Sequence, residues 1–441
     1  MVVGLGRTGL SCARFLALRG ARVVVTDSRA EPPELAGLAS LEKSLGTAID
    51  ARVGGFDERL LDAASQVVVS PGVSQREPFL MRARQKGLEI VGDIELFARA
   101  VRGPVVGVTG TNGKSTVTTL IARMAEAAGR RVRAGGNLGE PALDLLAGDA
   151  GELYVLELSS YQLETTQSLK LKAATILNLT PDHLDRYANV EEYAAAKARI
   201  LERCDVAVLN ADDGLVMRLA RPGQKTVTFS LDPARGADYG IRHEAGGNVA
   251  LLRRGVPLLR TSELRIVGRH NAANALAALA VGEAIGLADQ PMLKALREFS
   301  GLEHRTQWVA EVAGVRYVDD SKGTNVGATL AAVAGFAGPL VVIAGGDGKN
   351  QDFAPLAAAF RGKVRHAVLI GRDAPRIRDA LADVCALSMA STMQEAVHRA
   401  QSVARPGDTV LLSPACASFD MFRDYRERGA MFAAAVKELA T

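Results

Sequence analysis

The stretch Thr109-Gly110-Thr111-Asn112-Gly113-Lys114-Ser115-Thr116 determines the fold that this sequence predicts. It follows the apolar residues 105–108, which are typical of a buried strand, and it opens a helical pattern. In such a turn the backbone N–H groups point at phosphate oxygens, Lys114 supplies a cation, and Ser115 or Thr116 offers a hydroxyl to Mg²⁺. The stretch therefore predicts a triphosphate site, with ATP as the expected ligand.

This loop departs from the common G-x-x-x-x-G-K-[ST] pattern, because Val108 stands where the first glycine is usual. We expect Gly110 to make the tight bend instead. The alternative is a chance glycine-rich turn without a ligand. The strand before it, the helix after it and the two adjacent hydroxyl residues favour the phosphate loop.

Composition limits the function classes. The 441 residues suggest about three domains, and 53 Lys+Arg against 49 Asp+Glu, without blocks of like charge, do not indicate a nucleic-acid partner. No apolar run approaches the roughly 18 to 20 residues of a membrane span. We expect a cytoplasmic monomer that is not inserted in a membrane. The cysteines, which we expect to be reduced and buried, are Cys12, Cys204, Cys385 and Cys416.

The first predicted domain, residues 1–92, begins with Gly4-x-Gly6-x-x-Gly9 and continues to a strand over 21–26 that ends at Asp27. This spacing predicts a Rossmann-like β-α-β unit that places a diphosphate at a helix N-terminus. Alone, the pattern suits NAD as well as UDP, and the separate ATP loop favours UDP. Only three residues precede Gly4, where a buried parallel strand has about five or six, so we expect the natural start to lie upstream.

The second predicted domain, residues 93–298, alternates strands and helices around the phosphate loop, which indicates a P-loop-type ATPase domain with a mostly parallel sheet. Glu157 and His183 follow strands at the edge that carries the loop. Residues 225–260 predict antiparallel hairpins. Lys197 lies on a helix predicted over 190–203, where a solvated lysine is the ordinary expectation.

The third predicted domain, residues 299–441, again alternates strands and helices and predicts a second Rossmann-like α/β domain. Its loops at strand ends are 320–322, 345–349 and 413–418. Ligands of open α/β sheets bind outside the carboxyl ends of the strands. We therefore expect these loops to face one site.

In this order, the motifs resemble the Mur ligases, a family of ADP-forming amide ligases, over essentially the whole chain. The motifs that carry the resemblance are Gly4-Leu5-Gly6-Arg7-Thr8-Gly9-Leu10-Ser11, Ser70-Pro71-Gly72-Val73-Ser74, the phosphate loop, Gly136-Asn137, E-L-S-S-Y-Q-L-E (157–164), N-L-T-P-D-H-L-D-R-Y (178–187), Gly268-Arg269-His270-Asn271, His304-Arg305, Asp320-Ser321-Lys322-Gly323-Thr324-Asn325, Gly346-Asp347-Gly348-Lys349 and S-P-A-C-A-S-F-D-M-F (413–422).

The resemblance implies three groups of binding residues. ATP is expected at Gly110, Thr111, Asn112, Gly113, Lys114, Ser115, Thr116, Asn271, Arg305 and Asp320. A UDP-linked substrate is expected at Thr8, Ser11, Asp27, Ser28, Arg29, Ser70, Gly72, Asn137 and His183. D-Glutamate is expected at Lys322, Thr324, Lys349, Ser418, Phe419 and Tyr425, the last standing where the family often has phenylalanine.

The resemblance also implies the catalytic residues Lys114, Glu157, His183 and Lys197, together with two Mg²⁺ ions. The expected metal-binding residues are Ser115, Glu157, His183 and Lys197 as a carbamate. CO₂ on a neutral amine turns a cation into a carboxylate-like ligand, whereas an unmodified lysine would repel the metal.

The activity implied by the resemblance is the ATP-dependent joining of D-glutamate to UDP-N-acetylmuramoyl-L-alanine through an acyl phosphate, in peptidoglycan precursor synthesis. It implies closure of the third domain about residues 299–301. Alternatives are sibling ligases that add L-alanine, a diamino acid or folate-linked glutamate, and a nucleotide-binding regulator without ligase chemistry. The absence of an Asp-Asn-Pro-Arg motif and the stretch 413–422 favour D-glutamate, and a regulator would not need His183, Glu157 and Lys197 together.

Overall fold

The computed structural model describes residues 1–137, 139–148, 151–244, 248–266, 268–336 and 338–439, and over these ranges the strands form three sheets. Each sheet with its helices is called a unit below. The predicted three-domain α/β class is confirmed. The domain boundaries at 92 and 298 stay predictions.

The first unit is a parallel sheet with the spatial strand order 3-2-1-4-5. Its strands are β1 (Val2–Val3), β2 (Val24–Asp27), β3 (Asp50–Val53), β4 (Gln66–Val69) and β5 (Glu89–Val91). Its helices are α1 (Arg7–Ala17), α2 (Leu35–Leu45), α3 (Leu60–Ala63) and α4 (Pro78–Gln85), and α5 (Asp93–Ala100) leads to the second unit. The valines of β1 and β4 are buried, as expected of parallel strands covered on both faces.

The second unit contains the phosphate loop and a mixed sheet with the strand order 14-13-12-11-10-9-6-8-7. Its strands are β6 (Val105–Thr109), β7 (Val132–Gly136), β8 (Leu153–Glu157), β9 (Leu171–Ile176), β10 (Cys204–Asn210), β11 (Lys225–Phe229), β12 (Tyr239–His243), β13 (Val249–Arg253) and β14 (Val256–Arg260). Its helices are α6 (Lys114–Ala127), α7 (Ser160–Leu163), α8 (Val190–Ala198), α9 (Gly214–Arg218), α10 (Arg269–Ala284) and α11 (Asp289–Glu298).

The hairpins predicted over 225–260 are confirmed only for β12, β13 and β14, which pair antiparallel. The prediction is wrong for β11, which pairs parallel with β10. The reason is burial: Val227 and Phe229 of β11 belong to the same apolar core as Val208 of β10. The helix predicted over 190–203 ends at Ala198 and continues as a 3₁₀ turn.

The third unit has the strand order 15-16-20-17-18-19, parallel except at β15. Its strands are β15 (Gln307–Val312), β16 (Val315–Asp319), β17 (Leu340–Gly345), β18 (Val364–Ile370), β19 (Ala386–Met389) and β20 (Thr409–Leu412). Its helices are α12 (Val326–Ala334), α13 (Ala354–Phe360), α14 (Ala374–Leu381), α15 (Met393–Val403) and α16 (Tyr425–Glu438). The edge strands β15 and β19 escaped the sequence analysis because neither has a fully buried residue.

The cysteines are free thiols, of which Cys12 and Cys416 are buried. The expectation of burial is wrong for Cys204 and Cys385, which are half-buried because they lie beside the ends of strands rather than within the cores. Among the described residues, no helix is both long and apolar enough to cross a bilayer.

The glycine motif of the first unit provides a test of the fold. A Cβ at Gly9 would lie 1.9 Å from the Gly4 carbonyl oxygen, whereas a Cβ at Gly6 would meet nothing within 4 Å. We expect Gly9→Ala to lower the free energy of unfolding by about 1–3 kcal/mol, because α1 must move away from β1. Urea unfolding followed by circular dichroism measures this.

The matched control is Gly6→Ala, which keeps an allowed φ of −98° and should stay within about 1 kcal/mol of the wild type. Equal unfolding midpoints for both variants would show that α1 does not depend on this close approach.

Candidate active site

The phosphate loop joins β6 to α6 in the form that the sequence predicts. Gly110 and Gly113 have φ values of 145° and 84°, a region that favours glycine. The Lys114 ammonium donates to the carbonyl oxygens of Gly110 and Thr111 at 3.0 and 2.8 Å. The lysine therefore lies folded across its own loop, at the N-terminus of α6.

A first cavity of about 310 Å³ lies between the second and third units. The predicted ATP residues that line it are Asn112, Gly113, Thr116, Asn271, Arg305 and Asp320. Thr111, Lys114 and Ser115 line the adjoining second cavity instead. Gly110 lines neither cavity. It packs closely against Leu177, where an added Cβ would lie 3.0 Å from the leucine side chain, so Gly110 contributes to the bend of the loop.

Two charged groups in the first cavity have strongly shifted pKa values. Burial raises the pKa of Asp320 to about 7, against hydrogen bonds from the Ser413 hydroxyl and the Thr306 N–H. Burial, with the Arg305 cation nearby, lowers the pKa of Lys322 to about 7. Strongly shifted pKa values of this kind cluster at functional sites.

The second cavity, of about 290 Å³, brings the predicted catalytic and amino-acid residues together. From the second unit it is lined by Lys114, Ser115, Glu157, His183 and Lys197. From the third unit it is lined by Lys322, Thr324, Lys349, Ser418, Phe419 and Tyr425. The Phe419 ring stands at its rim, 73% exposed, and the Lys322 ammonium lies 4.2 Å from the Tyr425 ring centroid.

Glu157 ends β8 as a buried carboxylate. It accepts hydrogen bonds from the Ser115 hydroxyl and from the Asn137 amide, the latter at 2.7 Å. Burial alone would raise its pKa, but the Lys114 cation and the Ser115 hydrogen bond hold it below its usual value. Glu157 is therefore an ionised group inside the site and not a solvated residue at a strand end.

Lys197 contradicts the ordinary expectation of a solvated helix lysine, because its side chain is 1% exposed on the inner face of α8. Its nitrogen lies 3.3 Å from the Thr109 hydroxyl and 4.6 Å from the Tyr193 ring centroid. Burial and the nearby Lys114 cation lower its pKa well below the usual value. Burial therefore disfavours the charged ammonium form at this position.

The turn 178–186 after β9 contacts all three units. The Thr111 hydroxyl of the phosphate loop donates to the Thr180 carbonyl oxygen at 3.2 Å. The Asp182 carboxylate accepts from the Lys349 ammonium of the third unit at 2.7 Å. Arg186 donates to the Pro71 carbonyl oxygen of the first unit at 2.8 Å. One short segment of the second unit therefore bonds to the phosphate loop and to both other units.

His183 has a left-handed backbone conformation in this turn, with φ of 56°. Its Nδ1 lies 2.7 Å from the Tyr161 hydroxyl, and its Nε2 lies 3.8 Å from an Asp182 oxygen. Burial lowers the pKa of His183 to about 4. The imidazole is therefore neutral at physiological pH.

A third cavity, of about 570 Å³, lies at the carboxyl edge of the first sheet. The predicted UDP-substrate residues that line it are Thr8, Asp27, Ser28, Arg29, Ser70, Gly72 and Asn137. Asp27 accepts from the Leu5 N–H at 2.6 Å and pairs with Arg29. Although burial acts in the opposite direction, these partners lower the pKa of Asp27 to about 2.

Two of the residues expected to bind the UDP-linked substrate do not line this third cavity. The Ser11 hydroxyl donates to Asp144 at 2.8 Å on the buried side of α1, so it does not reach the cavity. His183 lines the second cavity, because its turn faces the phosphate loop. Asn137 lines both cavities and therefore marks where they meet.

Sequence reasoning missed several residues that shape the site. Asn274 lies against Gly113 and donates to Asn271 at 3.2 Å, and Asn325 donates to Asp182 at 3.2 Å. Tyr193 donates to the Thr111 hydroxyl at 3.2 Å. Asp182 and Asn325 lie in the motifs 178–187 and 320–325, so the sequence did mark them as candidates for the site. Tyr193 and Asn274 lie outside every motif, and nothing in the sequence marked them.

The site combines a phosphate loop that faces a buried carboxylate with cations from a separate unit. This combination is typical of a nucleotide-dependent enzyme. Three family models match the chain in order: Mur ligase MurD-like N-terminal domain over residues 1–92, Mur ligase middle domain over 108–282, and Mur ligase glutamate ligase domain over 304–416.

Curated relatives match over the whole chain. The UDP-N-acetylmuramoylalanine--D-glutamate ligase of Nitrosococcus oceani is 52% identical over all of this chain and 96% of its own length. The enzyme of the same name from Methylococcus capsulatus is 50% identical over all of this chain and 95% of its own length.

Solved structures share the fold. The pseudomurein peptide ligase type C of Methanothermus fervidus has a TM-score of 0.64 at 19% identity and covers 99% of both chains. UDP-N-acetylmuramate-alanine ligase MurC of Thermotoga maritima has a TM-score of 0.63 at 20% identity, over 99% of this chain and 98% of its own. The chain belongs to the Mur ligase family, and it is an ATP-dependent ligase of peptidoglycan precursor synthesis.

The contact between Asp182 and Lys349 gives a test of how the units are held together. We expect Asp182→Asn to increase the radius of gyration of the ligand-free protein, because Lys349 loses the carboxylate that ties the third unit to the second. Breaking a buried ion pair costs about 3–5 kcal/mol. Small-angle X-ray scattering measures the change.

The exposed Asp185 of the same turn supplies the matched control, and Asp185→Asn should scatter as the wild type does. An unchanged radius of gyration for Asp182→Asn would mean that other contacts hold the third unit.

Proposed function

We propose that this ligase joins D-glutamate to UDP-N-acetylmuramoyl-L-alanine, with ATP converted to ADP and phosphate. One observation carries the proposal: the second cavity holds the phosphate-loop lysine, the buried Glu157 and the cations of the third unit together. The full-length relatives that bear this activity in their names support the choice of substrates.

The UDP part of the substrate would occupy the third cavity, with its diphosphate at the N-terminus of α1. Its L-alanyl carboxylate would extend past Asn137, the residue shared by the two cavities, into the second cavity. ATP would place its base and ribose in the first cavity and its outer phosphates at Lys114. The third cavity would thus hold the UDP group, the first cavity the base and ribose of ATP, and the second cavity the reacting groups.

Activation of the carboxylate is the first chemical step. A carboxylate oxygen forms a bond to the γ-phosphorus of ATP while the bond from that phosphorus to the β,γ-bridging oxygen breaks, which gives an acyl phosphate and ADP. Lys114 and Arg305 would balance the negative charge on the transferring phosphoryl group. The second step is attack of the D-glutamate amine on the acyl carbon, which releases phosphate and a proton.

D-Glutamate brings two carboxylates, and the third-unit side of the second cavity suits them. Lys349, whose side chain is 15% exposed, offers an ammonium, and Thr324 and Ser418 offer hydroxyls. Charge-assisted hydrogen bonds of this kind are stronger than neutral ones. Lys322, Phe419 and Tyr425 would complete the pocket.

The donor set at the centre fits Mg²⁺ in part. The Ser115 hydroxyl and the Glu157 carboxylate are hard oxygen ligands, and His183 lines the same cavity. The described residues contain no cluster of three His, Cys, Asp or Glu side chains that could hold a metal. A carbamate on Lys197 would add the missing oxygens, and burial of the amine, which lowers its pKa, favours the uncharged form that reacts with CO₂.

We therefore propose that Ser115, Glu157, His183 and carbamylated Lys197 hold two Mg²⁺ ions. When bound, the ions would neutralise charge on the phosphate oxygens. We also propose that the protein acts as a cytoplasmic monomer.

Amino-acid selectivity tests the proposed reaction. With UDP-N-acetylmuramoyl-L-alanine and ATP, we expect phosphate release with D-glutamate and none above background with L-glutamate, L-alanine or a diamino acid. A coupled phosphate assay measures this. Release with L-alanine or a diamino acid instead would support a sibling ligase, and no release with any amino acid would contradict the proposal.

Carbamylation can be tested without relying on activity. In ¹³C-bicarbonate buffer we expect a carbamate carbon signal in the NMR spectrum of the wild type, and we expect Lys197→Met to lack it. The same variant should lose about 100-fold or more in the rate of phosphate release.

The exposed Lys172, which pairs with Asp205, provides the control, and Lys172→Met should keep both the signal and the rate. A carbamate signal that survives in Lys197→Met would assign the modification to another amine.

A further inference from the structure

Tyr161 lies on α7 and lines the second cavity beside His183. Its hydroxyl oxygen is 2.7 Å from His183 Nδ1, and the two rings meet edge to face with centroids 5.0 Å apart. None of the roles proposed above uses this hydroxyl. Its hydrogen bond is nevertheless made directly to a proposed metal-binding residue.

The Tyr161 ring is held in place from its other side. The Arg186 guanidinium carbon lies 3.9 Å from the ring centroid. Arg186 in turn donates to the Pro71 carbonyl oxygen at 2.8 Å and to Glu164 at 2.6 Å. The phenol is therefore fixed by contacts that include the first unit, and its hydroxyl is a rigid partner for the imidazole.

The hydrogen bond to Nδ1 determines where the opposite ring nitrogen stands. Nε2 lies across the ring, 3.8 Å from a carboxylate oxygen of Asp182, which also lines the second cavity. Among the described residues, Nδ1 is the acceptor that the structure gives the Tyr161 hydroxyl. The contact distance allows either direction for this bond, and the Asp182 oxygen 3.8 Å from Nε2 favours the arrangement in which the phenol donates to Nδ1 and the imidazole hydrogen resides on Nε2.

A hydroxyl can reverse this bond without moving the ring. If the imidazole hydrogen moves to Nδ1, the phenol oxygen accepts it and the Nε2 lone pair faces the cavity. Partners of this kind fix the orientation of histidines that bind metals or substrates. A phenylalanine at position 161 would keep the ring packing, but it could neither donate a hydrogen bond to Nδ1 nor accept one from it.

We propose that Tyr161 is a positioning residue for the ligase reaction, and that its hydroxyl holds the His183 imidazole with Nε2 directed into the second cavity. The inference rests on the proposed function, because it assigns His183 a part in that reaction. Tyr161 itself contacts the His183 imidazole and not the reacting atoms.

The test is Tyr161→Phe, which removes one oxygen and keeps the stacking with Arg186. We expect kcat for D-glutamate-dependent phosphate release to fall about 10-fold or more, the size of effect seen when a histidine loses such a partner. We expect the KM for ATP to stay within about twofold of the wild type, since Tyr161 does not line the first cavity.

The matched control is Tyr187→Phe. The Tyr187 hydroxyl donates to Glu164 at 2.6 Å in the same aromatic cluster, and its ring lies 6.1 Å from that of Tyr161. In the described structure the Tyr187 hydroxyl makes no hydrogen bond to the His183 imidazole, and the bond from the Tyr187 backbone N–H to the His183 carbonyl oxygen is kept in the variant, so the control should keep the wild-type kcat. Circular dichroism establishes that both variants are folded.

A second readout uses the ligand-free protein labelled with ¹⁵N-histidine, with the His183 signals assigned through His183→Gln. Long-range ¹H–¹⁵N correlation spectra at pH 8 should show one tautomer, hydrogen on Nε2, in the wild type and in Tyr187→Phe. In Tyr161→Phe the two ring nitrogens should shift toward averaged values.

Unchanged nitrogen shifts in Tyr161→Phe would overturn the proposal, as would unchanged kcat or an equal loss of kcat in Tyr187→Phe. The spectra need no turnover. Failure of the proposed reaction in the wild type would therefore be recognised separately, by the absence of D-glutamate-dependent phosphate release.

Discussion

The hydrogen bonds of the turn 178–186 are the constraint on which the site depends. This turn bonds to the phosphate loop through Thr180, to the third unit through Asp182 and to the first unit through Arg186. Each cavity alone has only part of what a ligase needs. Because one segment of the second unit bonds to both other units, we expect a shift of either neighbouring sheet to move Asp182 and His183, which line the second cavity.

The charge balance of the second cavity explains why it suits anionic reactants. Two carboxylates, Glu157 and Asp182, stand among several cations, and both are already engaged by protein partners. Lys114, Lys322 and Arg305 therefore carry charge that phosphates and carboxylates can neutralise. Burial and the neighbouring cations lower the pKa values of Lys114 and Lys322, although the Glu157 carboxylate acts in the opposite direction.

Features that depend on the spacing of residues along the chain could be predicted from the sequence. The phosphate loop, the glycine motif and the strand-end positions of Glu157 and His183 follow from spacing, since parallel strands end at a common edge. Burial of Lys197 did not follow, because α8 is weakly amphipathic and only packing against Tyr193 and Thr109 reveals its inner face. The hydrogen bond of Ser11 to Asp144 did not follow either, because Asp144 lies 133 residues away in the sequence. Contacts between residues so far apart in the sequence, including the one between Asp182 and Lys349, depend on how the three units pack together.

The central claim is that the carboxylate of the substrate takes the γ-phosphoryl group of ATP before the amine attacks. It is tested most directly with UDP-N-acetylmuramoyl-L-alanine that carries ¹⁸O in its L-alanyl carboxylate. Mass spectrometry of the phosphate released with ATP and D-glutamate should show one ¹⁸O per molecule, because the acyl oxygen leaves with phosphorus. Released phosphate without ¹⁸O, alongside an amide product, would contradict the account.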